Sequence, residues 1–205
     1  MADETKGGEQ SSPISSYEGI AILGSHPATV GIAPFGDPRW LIYACSPHNF
    51  EKRTLPRFDE WFEIHRPVAD KTRAYPYLKY LETLPLVWMR DKEAMGHFPG
   101  AREYPDQEMI DRFGPFKFTS SIALMQMRAI VECERLHAEG KMPEPKIALF
   151  GIMQASPGEY TYQRPTIQEL AWEASKPERD KLGLPRIRMI APDVSHLFDP
   201  PPEDF

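Results

Sequence analysis

Ile20-Ala21-Ile22-Leu23-Gly24-Ser25-His26-Pro27-Ala28-Thr29 and, after a connector containing Gly and Pro, Trp40-Leu41-Ile42-Tyr43-Ala44-Cys45-Ser46-Pro47-His48-Asn49 decide the fold. Each is a short, nearly continuous apolar run that breaks off in small, polar or turn-forming residues. Strands buried on both faces of a parallel sheet read this way, without the in/out alternation of a half-exposed strand. Ligands of open α/β sheets lie beyond the carboxyl ends of the strands. Gly24 to Ala28 and Cys45 to Asn49 are therefore the first candidates for a binding edge. The expectation is a nucleotide-binding α/β domain.

Further runs have the same form. Trp61-Phe62-Glu63-Ile64-His65-Arg66-Pro67 is an aromatic-rich third strand ending on a histidine, and Pro67 blocks continuation into a helix. Leu86-Val87-Trp88-Met89, Lys146 to Ile152 and Arg186 to Ile190 bring the total to about six. Between them, Tyr75 to Thr83 has aromatic and leucine residues at helical spacing, and Ile122 to about Ala138 is apolar around most of a helix that stops at Gly140. Arg90 to Phe116 is dense in Gly, Pro, Asp and Arg and reads as one long connection, a length usually reserved for functional or mobile segments. Met153 to Arg164 reads as a polar loop. Thr166-Ile167-Gln168-Glu169 matches a capping box opening a helix that ends near Ser175.

At 205 residues the chain has room for one core. Residues 18–198 are expected to form a single domain, 1–17 a flexible polar tail and 199–205 an irregular end. Twenty-two prolines, where about 5% is usual, predict long Pro-rich loops. The net charge of −6 lacks the basic footprint of a phosphate-backbone binder, so duplex nucleic acid is disfavoured, although Lys52, Arg53, Arg57 and Arg66 form a local basic patch. The two cysteines, Cys45 and Cys133, make neither a disulfide framework nor a metal-ligand spacing. No run approaches the ~18 residues of a membrane span, and the amino-terminal residues lack the apolar segment of a signal peptide. A cytoplasmic location is expected.

Placed at the strand ends, Ser25, His26, Ser46, His65, Tyr160, Tyr162, Arg164 and Ser195 would converge with Thr119-Ser120-Ser121 at the start of the long helix. Three hydroxyls exceed what one N-cap needs, and with the free N–H groups of a first turn they suit a phosphate. The chain has no Gly-x-Gly-x-x-Gly, no Gly-Lys-Ser/Thr and no metal-type His/Cys/Asp spacing, so no metal is implied. Each residue also has a plainer reading, with the serines as caps, the tyrosines as edge packing and the histidines as hydrogen-bonded structural groups.

The order of these pieces resembles the bacterial CMP-sialic-acid-dependent sialyltransferase superfamily, with its flagellin-modifying and compact phage-encoded relatives. The family's Gly-x-Gly-Pro-Ser turn after the first strand is matched by Gly24-Ser25-His26-Pro27-Ala28. Its Cys-Asn strand end is matched by Cys45-Ser46, and its ligand-facing Asn by His65. Its Thr-Ser-Gly helix opening is matched by Thr119-Ser120-Ser121, its Gly-Ile-Asp by Gly151-Ile152-Met153, its tyrosine segment by Glu159 to Tyr162, and its Pro-x-Ser-x-Leu by Pro192 to Leu197. The resemblance spans about Ile20 to Leu197. It implies a Rossmann-like, mostly parallel sheet binding a cytidine-type or related nucleotide, with tyrosines near the phosphates.

By that resemblance Gly24, Ser25, His26, Pro27, Ser46, Thr119, Ser120, Ser121, Gly151, Met153, Tyr160, Arg164 and Ser195 are the nucleotide-binding candidates. No cofactor beyond the nucleotide or nucleotide sugar is implied. The family's catalytic histidine sits in a lid after the fifth strand, whereas here no histidine lies between His137 and His196. Catalysis then falls to His65, His26 or Tyr162, or the fold binds a nucleotide without turning it over. The acceptor is left open.

Overall fold

The computed structural model describes residues 16–45, 55–65, 75–153 and 159–199, without the side chains of 75 and 159–162. Residues 1–15 of the expected 1–17 tail, 200–205 of the expected 199–205 end, Ser46, and Lys52, Arg53 and Arg66 of the basic patch lie outside the described residues. Seven strands form one sheet: β1 (Gly19–Leu23), β2 (Trp40–Cys45), β3 (Glu60–Glu63), β4 (Val87–Met89), β5 (Ala101–Glu103), β6 (Lys146–Phe150) and β7 (Arg188–Ile190). Their order is β5-β4-β3-β2-β1-β6-β7, and every pairing is parallel. This is a Rossmann-like α/β sheet with one strand more than expected. Successive strands step outward from β1 in one direction, and β6 restarts on its other side.

Residue parity divides the sheet into two faces. Ile20, Ile22, Tyr43, Phe62, Ile147 and Leu149 share one core with α5 (Ser121–Ala138) and α6 (Glu159–Ser175). Trp61, Val87 and Met89 face the opposite way, packing with Tyr77 and Leu81 of α2 (Tyr75–Thr83) and Ala94 of α3 (Lys92–Met95). β1 is buried at all five positions because α5 covers one of its faces and the connector residues Ala33, Phe35, Leu55 and Phe58 pack with Ala21 and Leu23 on the other. Each large aliphatic side chain so buried contributes roughly 1.5–3 kcal/mol. The crossing helix α5 packs on β1, β3 and β6. Because it feeds a parallel strand, its amino terminus lies at the carboxyl edge of the sheet.

The expected connection from Arg90 to Phe116 is instead regular structure. Asp91 caps α3 by accepting from the Ala94 N–H (3.2 Å), the edge strand β5 follows, and α4 (Asp106–Phe113) completes the segment. Phe98, Tyr104 and Met109 anchor it, and the Tyr104 hydroxyl donates to the Leu124 carbonyl across 2.7 Å. β5 escaped the sequence pattern because a three-residue edge strand with Arg102 and Glu103 exposed has no apolar periodicity.

The second correction concerns α6, which begins seven residues before the expected Thr166 and carries Pro165 in its interior. Proline removes one helical hydrogen bond. Here it sits on the exposed side, while Gln163, Thr166, Ile167, Leu170 and Ala174 form a continuous buried stripe that holds the helix through it. Thr166 is thus a buried mid-helix residue, not a cap. Two further short helices are α1 (Pro27–Val30) and α7 (Glu178–Lys181).

Candidate functional site

The carboxyl edge of the sheet carries three groups of candidate residues. At its centre, between β1 and β6, lies the point where the strand order reverses, the usual ligand crevice of such sheets. Here the backbones close it. Gly24 N donates to the Phe150 carbonyl (2.8 Å), His26 N to the Gly151 carbonyl (2.9 Å), and Gly151 N to Thr29 Oγ1 (2.7 Å). A Cβ on Gly24 would fall 2.3 Å from the Gly151 oxygen, and Gly151 itself has φ of 68°. Both glycines are thus required by the approach of two chains, whatever binds above them.

Around this seam, Ser25 is half-buried and the exposed His26 caps α1, its Nδ1 accepting from Ala28 N (3.3 Å), with Pro27 at the first helical position. α1 packs against the turn Asp193–Ser195 that follows β7. Ser195 is buried, and its Oγ accepts from Leu197 N (3.4 Å). Arg164 reaches from α6 to the carbonyls of His196 and Asp199, the latter at 3.4 Å. Met153 is half-buried at the exit of β6, while the side chains of Tyr160 and Tyr162, in the first turn of α6, lie outside the described residues.

The amino terminus of α5 forms the second group. Ser120 is its N-cap, Oγ accepting from Ala123 N at 3.1 Å. Thr119 Oγ1 is buried and has no hydrogen-bond partner among the described residues. Arg90, leaving β4, lies over the Phe118 ring at 5.1 Å and holds both oxygens of Asp106 through Nε (2.8 and 2.9 Å). The hydroxyl turn therefore stands beside a guanidinium at the β4 end of the edge.

His65, just beyond β3, belongs to the third group. Glu63, two residues earlier on the same face, is 1% exposed. Its Oε1 accepts from the His65 backbone N–H (3.0 Å) and lies 3.1 Å from His65 Nδ1. Its Oε2 accepts from the Tyr77 hydroxyl at 2.5 Å. The His65 side chain is 61% exposed, so the ring leans on a buried carboxylate with its far side open to solvent. On the neighbouring strand, burial and then the charge of Glu63 push the Cys45 thiol up to about 12, so it stays protonated at neutral pH.

Comparison of the chain with protein-family models, curated proteins and solved structures returns no match. What this edge can do therefore follows from its own chemistry. A carboxylate behind an imidazole fixes the ring's orientation and stabilises the cation formed when the ring accepts a proton, which is how a general base is supported. Glu63 and Tyr77 were not among the sequence candidates. The signal for Glu63 is its spacing of two from His65, which puts both on one face of a strand. Tyr77 had only a packing signal. Among the described residues no cluster of three or more His, Cys, Asp or Glu is placed to hold a metal ion, and no helix is long and apolar enough to cross a membrane.

Proposed function

We propose that the protein is a nucleotide-binding enzyme of the glycosyl-transfer type, working at the carboxyl edge of its sheet with His65 as general base. The observation that carries this reading is the contact between exposed His65 and buried Glu63. Such a pair serves a proton transfer better than a packing role, which would bury the ring. In the reaction, His65 Nε2 takes the proton of an acceptor hydroxyl as its oxygen bonds to the anomeric carbon of the donor sugar. The bond from that carbon to the phosphate oxygen breaks, and its electron pair leaves with the nucleotide.

The hydroxyls of Thr119 to Ser121, the first N–H groups of α5 and the tyrosines of α6 are the groups suited to the leaving phosphate. No metal is invoked. Cys45 and Cys133 are both buried and neither forms a disulfide, which suits a reducing cytoplasm. The proposed class is a compact, phage-encoded form of the sialyltransferase-like superfamily, whose strand-end motifs those of this chain resemble in order. A second reading, nucleotide sequestration without turnover, is favoured by the lack of a histidine between His137 and His196.

A thermal-shift screen against CMP, UDP, GDP, ADP, ADP-ribose, NAD and cyclic dinucleotides tests the binding half, because a ligand of the folded state raises its apparent stability. Stabilisation by a nucleoside mono- or diphosphate supports the transferase and names the donor class. Stabilisation only by a cyclic dinucleotide supports sequestration, and no shift rejects both.

A further inference from the structure

Trp61, Tyr77 and Glu63 are hydrogen-bonded in a row behind His65. Trp61 Nε1–H donates to the Tyr77 hydroxyl oxygen at 3.2 Å. An indole nitrogen can only donate, so the Tyr77 oxygen is an acceptor in that contact. The single hydroxyl proton of Tyr77 then goes to Glu63 Oε2, 2.5 Å away. The remaining oxygen, Oε1, receives the His65 backbone N–H and the ring Nδ1. An ionised carboxylate is acceptor-only, so with Glu63 ionised the proton shared between Oε1 and the ring sits on Nδ1.

From this row we infer that Tyr77, on α2, is a positioning residue: held by Trp61, it fixes the rotamer of Glu63 and thereby keeps His65 as the Nδ1–H tautomer with a lone pair on Nε2. The inference deepens the general-base reading of His65 and rests on it for its catalytic meaning, although the tautomer is a property of the ligand-free protein. A free imidazole favours the opposite tautomer, with the proton on Nε2 and no acceptor facing outward. The row therefore reverses an intrinsic preference, which ordinary packing has no reason to do.

The relay is built into the core. Trp61, Tyr77 and Glu63 are each 1% exposed. The Trp61 and Tyr77 rings lie 6.5 Å apart, and Tyr80 sits edge-on to Trp61 at 5.3 Å, so the donor row is clamped by aromatic contacts from α2. Seating of α2 against β3 is consequently what sets the proton position on a histidine that lies outside the core. Acting through Glu63, Tyr77 needs no contact with a substrate.

Nitrogen-15 NMR of the ligand-free protein above the titration range of histidine reads this directly. The expected result is a pyrrole-type shift at His65 Nδ1 and a pyridine-type shift at Nε2. The reverse assignment overturns the inference. Tyr77→Phe keeps the ring and removes the relay proton, and its His65 signals are expected to move towards the Nε2–H tautomer, whereas an unchanged tautomer overturns the role of Tyr77. Should Tyr77→Phe not fold, the wild-type hydroxyl proton decides. A slowly exchanging, downfield Tyr77 O–H is expected, and a freely exchanging one overturns the relay. These readouts need no nucleotide, so a protein with the expected tautomer and no nucleotide binding would keep the relay and lose only the transferase reading.

Discussion

The β1/β6 seam and the end of β3 lie on the same edge of one sheet but use their strand ends in opposite ways. At the seam, glycine lets backbone meet backbone: Gly24 bonds Phe150, and Gly151 bonds His26 and Thr29. At β3 a carboxylate is buried and its hydrogen bonds lead outward to an exposed imidazole. A glycine-rich strand exit is thus a packing requirement where two chains touch. The Glu63 carboxyl instead bonds both the buried Tyr77 and the exposed His65, so it links the core to a group that solvent and substrate can reach.

The largest test of this contrast is His65→Ala. Loss of a general base should lower turnover about 10²- to 10⁴-fold, while loss of the Glu63 contact made by this mostly exposed ring should lower stability by only about 1 kcal/mol. Full turnover by the variant would move the working end of the sheet elsewhere.

Gly24→Ala should do the reverse, destabilising the fold by roughly 3 kcal/mol because the new methyl meets the Gly151 carbonyl. Equilibrium unfolding checks it. Normal stability with weakened nucleotide binding would make the seam a ligand site after all.

Ser120→Ala is a smaller probe, expected to cost about 1 kcal/mol as a lost cap. A large drop in nucleotide affinity at that modest cost would add the α5 turn to the β3 end as a phosphate partner. The smallest expected effect is none. With its thiol neutral up to about pH 12, Cys45 should not react with a thiol reagent at pH 8 in the native protein, only after unfolding. Prompt native-state labelling would mean that the edge beside β3 is open deeper than its buried strand end implies.

The parallel sheet was legible because β1, β2 and β6 are apolar runs that need no partner to be recognised. β5 and the first turns of α6 were not. Ala101 to Glu103 is a strand only because β4 lies beside it, and Pro165 would end a helix that lacked the buried stripe below it. The histidine at the end of β3 was legible as a polar residue after an apolar strand. Its partners were only half so. Glu63 is fixed by strand parity, but Tyr77 joins it through the folding of α2 onto β3, information that no local spacing contains.

Pairing of β1 with β6 joins Ile20 to Ile147, and this has a consequence during synthesis. As the chain leaves the ribosome, β1 can join β2 at once, but its other edge has no partner until most of the protein has been made. For that interval the most apolar strand in the molecule presents an open edge, the kind that recruits a second nascent chain. Truncation before Lys146 would make the exposure permanent, so fragments ending in α5 should be insoluble even though every element of the β3 site is present in them.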